Sequence, residues 1–426
     1  MITVINALEK ATRIGGKTGL NCIAGLIETK DVEDIVAKSA AEGSLAGVPV
    51  LVKDNIDVEG FPTTAGSLAL EDNLAMNDAV IIRNLRRNGA VIIGKTNMTE
   101  FANYVSPQMP CGYSSRGGQV IHAVSPDLNP LGSSTGSAVA VAAGIVPMAV
   151  GTDTCHSITA CAWGNGICGL KPPAGALSKE GILPLSKTLD SAGSMGMNMT
   201  DTLRLYSAMR DEPLPEIKPA LPEDLRIAVN VANSDAKYQD SDEKRAFLNE
   251  LIKLLKANGV QTGEVNEPPA RQVATIMKWE FRPSLEEYLE KSTASLKTLK
   301  EIVAFYEADP KTMMKYGDGF LRPALDETTA GPIASVELRE AIETREKAIR
   351  EVRNEISGYD AVLMTGPTSI MHFCGLPTVT VAFDKKDVNG VRQTVILYGS
   401  EECRLYAAAL AIEELVNRQN GCNVIK

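Results

Sequence analysis

Apolar residues in the first part of the chain recur at two spacings, and each spacing predicts one type of secondary structure. Residues 2–13 place apolar side chains every three or four positions, which is typical of an amphipathic helix. Residues 48–52 form a valine-rich run that predicts a strand with Lys53 at its end. The same reasoning predicts helices at 33–44, 78–89, 98–104 and 137–144, and strands at 90–97 and 145–153.

Strands and helices continue to alternate in the second half of the chain. A proline-rich connector, residues 211–225, separates the halves. The patterns beyond it predict strands at 225–230, 359–366 and 376–383, and helices at 244–259, through much of 270–357 and at 401–417. Because strands alternate with helices throughout, the predicted fold class is α/β. Residues 105–136 are rich in glycine, serine and proline, and they predict a loop of the length that is more often functional or disordered than a plain connector.

Composition excludes several classes of protein. The 426 residues are 44% hydrophobic and 23% charged, and the formal net charge is −10. Because there is no basic run, neither nucleic acid nor an anionic membrane surface is expected as a partner. The longest apolar stretch, residues 138–150, is shorter than the ~20 residues of a membrane span. The N-terminal segment lacks the apolar stretch of a secretory signal, so a cytoplasmic protein with reduced cysteines is predicted.

Four potential metal ligands lie close together in the sequence: Cys155, His156, Cys161 and Cys168. Their spacing does not match the paired cysteines of zinc modules. Buried cysteines that behave as small apolar residues are therefore expected, and no metal site is predicted.

Three short segments carry residues that could do chemistry. Lys53 ends a strand inside an otherwise apolar segment. The segment GSSTGS, residues 132–137, opens a predicted helix, and GTDTCHSITA, residues 151–160, follows a predicted strand. Taken singly, each is compatible with an ordinary role, as a surface lysine, a serine-rich helix N-terminus or a turn.

Taken together, these segments make the chain resemble the amidase signature family over most of its length. The similarity is carried, in order, by GVPVLVKDNIDVEGFPTTAGSLAL, GAVIIGKTNMTEFANY, GYSSRGGQ, GSSTGSAVAVAAG, GTDT..SI, GICGLKPPAGALSKEGILPLSKTLDSAGSM and CGLPTVTVAF. The third and fourth are most similar to peptide amidases. The resemblance implies one large domain over residues 1–426, with a mixed, twisted sheet covered by helices on both faces. It also implies a mainly helical insertion, residues 210–357, over the substrate cleft.

The resemblance assigns roles to individual residues. Ser157 stands where the family has its nucleophile, Ser133 where it has a bridging serine held by a cis peptide bond, and Lys53 where it has the base. The family's oxyanion hole is made by the backbone N–H groups at four positions, here Thr154, Cys155, His156 and Ser157. Supporting or substrate-binding positions are Ser134, Gln119, Asp153 and Thr159.

These residue types suit acyl transfer. A serine hydroxyl must lose its proton as it attacks, and a lysine can take that proton only when it is neutral. Burial favours the neutral lysine, and a second serine can relay the proton between the two groups.

The sequence departs from the family where Cys155 and His156 replace a pair that is usually glycine-glycine. Glycine suits a turn whose amides point inward, and a positive φ would favour it. Three interpretations are open: the two side chains shape an unusual acyl pocket, they disable the oxyanion hole, or one of them joins the chemistry. The third is disfavoured, because neighbouring side chains in an extended segment point to opposite faces, so Cys155 and His156 are not expected to pair with each other.

The predicted function is hydrolysis of a carboxamide C–N bond through an acyl-enzyme, without a metal or an organic cofactor. The expected partner is a small-molecule or peptide amide, and a homodimer is compatible with the sequence. Alternatives are an amide-forming acyltransferase on the same scaffold, a non-catalytic binding protein, and one component of an amidotransferase complex. No catalytic role is expected for His122 or His372, and His372 is expected to line the substrate channel.

Overall fold

The computed structural model describes residues 2–38, 41–230, 242–328 and 336–419. Within these ranges the helices are α1 (Ile2–Gly15), α2 (Val32–Lys38), α3 (Val80–Arg87), α4 (Thr135–Ala142), α5 (Thr159–Asn165), α6 (Met199–Met209), α7 (Asp242–Ala257), α8 (Val273–Lys291), α9 (Leu299–Ala308), α10 (Pro310–Met313), α11 (Leu321–Glu327), α12 (Val336–Glu355), α13 (Ser369–Phe373) and α14 (Glu402–Gln419). The strands are β1 (Ile23–Leu26), β2 (Pro49–Lys53), β3 (Val91–Thr96), β4 (Tyr113–Ser114), β5 (Gly118–Gln119), β6 (Met148–Asp153), β7 (Cys168–Lys171), β8 (Ser191–Gly196), β9 (Arg226–Asn230), β10 (Gln261–Val265), β11 (Ala361–Met364), β12 (Thr378–Lys386) and β13 (Arg392–Tyr398).

One mixed sheet of 11 strands organises the described part of the chain, in the order β1-β3-β2-β6-β8-β7-β12-β13-β11-β9-β10. The neighbours β3, β2 and β6 run parallel, and so do β11, β9 and β10. The strands between these two groups pair antiparallel. Strands β4 and β5 form a separate short ribbon in the loop that precedes α4.

Helices cover both faces of this sheet, as predicted. In β2, Val50 and Val52 belong to an apolar cluster with α3, α6, α7 and α14, whereas Leu51 belongs to a cluster with α1, α4 and α5. This alternation follows from the two-residue period of a strand, which sends successive side chains to opposite faces. Because both faces are buried, the strand reads as a continuous apolar run. The predicted α/β class and single large domain are confirmed.

The segment between residues 210 and 357 contributes to the sheet as well as to a helical layer. Strands β9 and β10 extend the sheet beyond β11, and α7 packs on it. The layer made only of helices begins at α8. Side chains of α8, α9 and α11 form a third apolar cluster with residues 98–109.

Two predicted helices are wrong in part. The helix expected at 33–44 ends with α2, residues 39 and 40 lie outside the described residues, and turns and bends follow at 41–47. The helix expected at 98–104 is only a 3₁₀ turn at Glu100–Asn103 in which Phe101 and Ala102 have φ of 44° and 56°. The buried Glu100 explains the difference, since its carboxylate accepts from the Ser115 N–H and hydroxyl and from Tyr306.

Two central strands, β7 and β8, lack an apolar pattern, and no strand was predicted there. The sequence of β8 is SAGSMG, yet every residue in it is buried between β6 and β7. A Cβ added at Gly193 would lie 2.1 Å from the Leu170 carbonyl oxygen. Small residues are therefore required where these strands approach closely. No helix of the described residues is long and apolar enough to cross a bilayer.

Candidate active site

Lys53 is buried at the end of β2. Its Nζ lies 2.8 Å from Ser133 Oγ, 2.7 Å from Thr152 Oγ1 and 3.2 Å from the Thr152 carbonyl oxygen. Asn55 Nδ2 donates to the same Thr152 hydroxyl at 3.1 Å. The amine is therefore held by hydroxyl and carbonyl oxygens, and no carboxylate among the described residues lies within ion-pair distance of it.

Burial decides the charge of this amine. Burial lowers the pKa of Lys53 from 10.5 to about 7, because a charged ammonium loses its hydration there. Cys161, Asp153 and Asp190 favour the charged form and offset only part of that effect. A large fraction of Lys53 is therefore neutral at neutral pH and can accept a proton.

Ser133 and Ser134 stand at the start of α4. The Gly132–Ser133 peptide bond is cis, as the resemblance implied. The Ser134 hydroxyl donates to the Thr152 carbonyl at 2.9 Å, and the Ser134 N–H donates to the Ser157 carbonyl at 3.2 Å. Ser134 thus ties α4 to β6 and to the turn that carries Ser157.

Ser157 completes a line of three groups. Its Oγ lies 3.0 Å from Ser133 Oγ, which in turn lies 2.8 Å from Lys53 Nζ. Ser157 is 6% exposed, whereas Ser133 and Lys53 are fully buried. The fold therefore joins the three predicted catalytic residues through two successive hydrogen bonds, with Ser157 outermost.

Two carboxyl groups accept hydrogen bonds from the turn between β6 and α5. Asp153 Oδ2 accepts from the Ile158 N–H at 2.7 Å and from the Thr159 N–H at 3.2 Å. Burial raises the pKa of Asp153, but His372 and these hydrogen bonds bring it below its usual range. Asp190 accepts from the Thr154 hydroxyl at 2.6 Å.

Two backbone N–H groups on this turn are available to a ligand. In the ranges that the structure describes, the N–H groups of Thr154 and Ser157 donate to no protein acceptor. They are two of the four predicted oxyanion donors.

Cys155 and His156 do not point to opposite faces. His156 has φ of 76°, the left-handed region that favours glycine. Cys155 Sγ lies 3.5 Å from His156 Nδ1 and 3.7 Å from its Nε2. The expectation that the two side chains diverge is wrong because the backbone turns here instead of continuing the strand.

A second histidine stands behind this pair, where the sequence had indicated only a channel wall. His372 on α13 is 1% exposed, and its ring meets that of His156 edge to face, with centroids 4.8 Å apart. Its Nδ1 lies 2.9 Å from Asp153 Oδ1, and its Nε2 lies 3.3 Å from Thr159 Oγ1. Thr159 is fully buried, and its hydroxyl contacts His372.

Gln119 bonds to backbone carbonyls and, within the described residues, to none of the three serines of the site. Its side-chain amide donates to the carbonyls of Cys111 and Val120 at 2.8 and 3.0 Å. It thereby ties the segment before β4 to the residue that follows β5.

A cavity of about 660 Å³ opens beside the site. Thr152, Thr154, Asn55 and Asp190 reach it from the site, while Ser284, Glu287 and Tyr288 of α8 lie on its wall. Within the described residues, neither Ser133 nor Ser157 belongs to its lining. The cavity therefore meets the site on the side of Thr152, which binds Lys53.

His, Cys, Asp and Glu side chains of the described residues form no group of three or more that could hold a metal ion. Cys161 and Cys168 are fully buried, and burial raises the pKa of both thiols.

Comparisons with known proteins identify the family and the fold of this chain. The model of the amidase family matches residues 13–375. A probable amidase of Arabidopsis thaliana is 29% identical over 361 residues, which cover 79% of this chain and 70% of the plant protein. A glutamyl-tRNA(Gln) amidotransferase component of Symbiobacterium thermophilum is 44% identical over 167 residues, which span 39% of this chain but only 33% of that protein.

Solved structures match over more of the chain. The peptide amidase of Stenotrophomonas maltophilia has a TM-score of 0.86 and 28% identity, with 98% of this chain and 93% of that one covered. An amidase family protein of Bacillus anthracis has a TM-score of 0.85 and 28% identity, with 96% and 86% covered. These matches confirm the fold predicted from the sequence and its likeness to peptide amidases.

Proposed function

This chain belongs to the amidase family of amide-hydrolysing enzymes, and we propose that it hydrolyses a carboxamide through an acyl-enzyme on Ser157. One observation carries the proposal: Ser157, Ser133 and Lys53 form a continuous hydrogen-bonded line that ends in a buried amine. A hydroxyl is a weak nucleophile, and this line provides a route for its proton. These contacts support a serine–lysine variant of the serine–histidine arrangement.

The first half of the reaction forms the acyl-enzyme. Ser157 Oγ attacks the carboxamide carbon while its proton passes to Ser133 Oγ, and Ser133 gives its own proton to neutral Lys53. The carbonyl oxygen becomes an oxyanion that N–H groups of residues 154–157 stabilise. Each such donor stabilises the transition state by on the order of 3 kcal/mol. The proton returns along the same line to the leaving nitrogen, and ammonia or an amine departs.

The second half repeats these steps with water as the nucleophile. Water loses its proton through Ser133 to Lys53 and attacks the ester carbon of acylated Ser157. Collapse of the intermediate releases the acid and restores the Ser157 hydroxyl. Asp153 and Thr159 act as positioning residues, because they hold the turn and the buried His372 in place.

The proposed substrate is a small-molecule or peptide carboxamide. The cavity of about 660 Å³ has the size of a small-ligand site. Its wall from α8 supports the proposal that the helical part of residues 210–357 covers the substrate cleft. The rim includes acidic Asp57, Glu180 and Glu287 and basic Lys179 and Lys187, so both charge signs are available to orient a polar substrate.

A non-catalytic role is the second candidate, and the His156 side chain in the turn favours it. A positive φ costs a non-glycine residue on the order of 1 kcal/mol or more, and a bulky ring fills space that glycine leaves open. If this ring displaces the oxyanion donors, Ser157 has no stabilised intermediate to form.

Labelling with a small fluorophosphonate tests the proposal against this alternative. The phosphonyl group bonds to an activated serine and develops negative charge on oxygen, as the oxyanion does. We expect one adduct per chain by intact-mass spectrometry and none on Ser157→Ala. A folded wild-type protein that gains no adduct would favour the non-catalytic role.

The rate of hydrolysis should rise with pH. Because the pKa of Lys53 is lowered to about 7, the neutral amine increases roughly tenfold per pH unit below 7 and is nearly complete above pH 8. We expect kcat/KM to follow that fraction when measured from pH 5.5 to 9. A profile that is flat between pH 6 and 8 would contradict a neutral-lysine base.

A further inference from the structure

A thiol and an imidazole stand in contact beside the proposed nucleophile. Cys155 is partly exposed, and its Sγ lies 3.5 Å from His156 Nδ1. Ser369 Oγ lies 3.3 Å from His156 Nε2 and 3.7 Å from the Cys155 sulfur. Cys155 and His156, the two residues before Ser157, thus meet a third polar side chain, Ser369 of α13.

We propose that Cys155 and His156 form a second nucleophilic pair, a thiol that bonds covalently to carboxamides with an electrophilic carbon, such as haloacetamides and acrylamides. The proposal is independent of hydrolysis at Ser157. It assigns a chemical use to the two residues that stand where the family usually has glycines.

The imidazole is positioned to accept the thiol proton. The sulfur lies 3.5 Å from Nδ1 and 3.7 Å from Nε2, so a neutral imidazole whose Nε2–H donates to Ser369 keeps an unprotonated Nδ1 within reach of the thiol. The edge-to-face contact with buried His372 restricts the ring further. A thiol beside a histidine reaches the reactive thiolate more readily than an isolated one.

Other cysteines offer a contrast within the same chain. Burial raises the pKa of Cys22 and Cys374 to about 12, and Cys161 and Cys168 are fully buried. Cys403 is exposed at the start of α14, and burial and Glu402 raise its pKa. Cys403 is therefore an accessible thiol without the proposed activation, and it is a matched internal control.

The covalent step balances without an oxidant. With a haloacetamide, the sulfur forms a bond to the α-carbon, halide leaves, and the thiol proton passes to His156 and then to water. With an acrylamide, the sulfur bonds to the β-carbon and the double-bond electron pair moves to the α-carbon. That carbon then takes the proton held by His156.

Alkylation of the whole chain by limiting iodoacetamide at pH 7, followed by peptide mapping, tests the proposal. We expect Cys155 to react at least about fivefold faster than Cys403, and we expect His156→Asn to lower the Cys155 rate about tenfold or more. Asparagine tolerates the left-handed backbone at this position, so the variant is suited to keep the turn. Cys403 reacting as fast as Cys155, or an unchanged Cys155 rate in folded His156→Asn, would overturn the proposal.

A second pair of variants keeps the test decisive. If His156→Asn does not fold, Ser369→Ala removes the group that orients the ring, and we expect at least a threefold lower Cys155 rate. An unchanged rate there would count against the pair. Ser157→Ala should leave Cys155 labelling intact. Loss of hydrolysis with retained labelling would therefore separate this site from the proposed function.

Discussion

Ser157→Ala should lower kcat for a carboxamide substrate by a factor on the order of 10⁴ to 10⁶, because no other hydroxyl can take its place in the acyl-enzyme. Ser133 Oγ lies 3.0 Å away but is fully buried, so it cannot reach a substrate carbonyl. The substitution removes one hydroxyl and its hydrogen bond to Ser133, which keeps its contact with Lys53, so the free energy of unfolding should fall by only about 1 kcal/mol. Steady-state kinetics and urea unfolding together measure both quantities.

An exposed serine provides the matched control. Ser44 lies in the loop before β2, and Ser44→Ala should retain wild-type kinetics. Hydrolysis by Ser157→Ala within tenfold of the wild-type rate would exclude Ser157 as the nucleophile. The catalytic group would then have to be sought elsewhere, with Cys155 as the first candidate.

Lys53→Met should lower kcat by roughly 10⁴-fold, the upper end of the range for a general base, with KM changed less than about threefold. The lysine acts on the proton in the transition state and touches Ser133 and Thr152, so substrate binding should persist. Methionine fills a similar volume without a proton-accepting atom. A variant with a raised KM and an unchanged kcat would contradict this role.

Stability measurements on the same variant test the lowered pKa independently. Because folding lowers the pKa of Lys53 from 10.5 to about 7, the unfolded chain binds more protons between these pH values. The free energy of unfolding of wild type relative to Lys53→Met should therefore rise with pH in this window, by at most ~1.4 kcal/mol per unit. Urea unfolding at pH 7, 8 and 9 measures the slope, and no slope would mean an unshifted lysine.

The relay through Ser133 makes these effects non-additive. If one proton passes from Ser157 through Ser133 to Lys53, the double variant Ser133→Ala with Lys53→Met should lower kcat no more than the more damaging single variant does. If the reductions in kcat of the two single variants multiply in the double variant, Ser133 and Lys53 have separate roles.

Sequence patterns located most of the elements that position the site. The valine-rich run before Lys53 is β2, and the predicted helix at 244–259 is α7 at Asp242–Ala257. The family resemblance singled out Ser157, Ser133 and Lys53, although these lie up to 104 positions apart. Their distances of 2.8 and 3.0 Å depend on how β2, α4 and the turn after β6 pack together.

Local patterns failed where long-range packing decides the backbone. The predicted helix at 98–104 yields to a turn because Glu100 bonds to Ser115 and Tyr306 from distant segments. The small residues of β8 carry no strand pattern, yet pairing with β6 and β7 makes them a central strand.

The sequence by itself determined the fold class and the family, and through the family resemblance it proposed the reactive residues, because apolar periodicity and motif order are local properties of the chain. Only the tertiary structure decided that burial lowers the pKa of Lys53 to about 7, since desolvation depends on every element packed around it. Only the tertiary structure brought Ser369 and His372 to the turn before Ser157, from more than 200 positions away. There a positive φ turned Cys155 and His156 toward each other, a contact that no neighbour rule for extended backbone predicts.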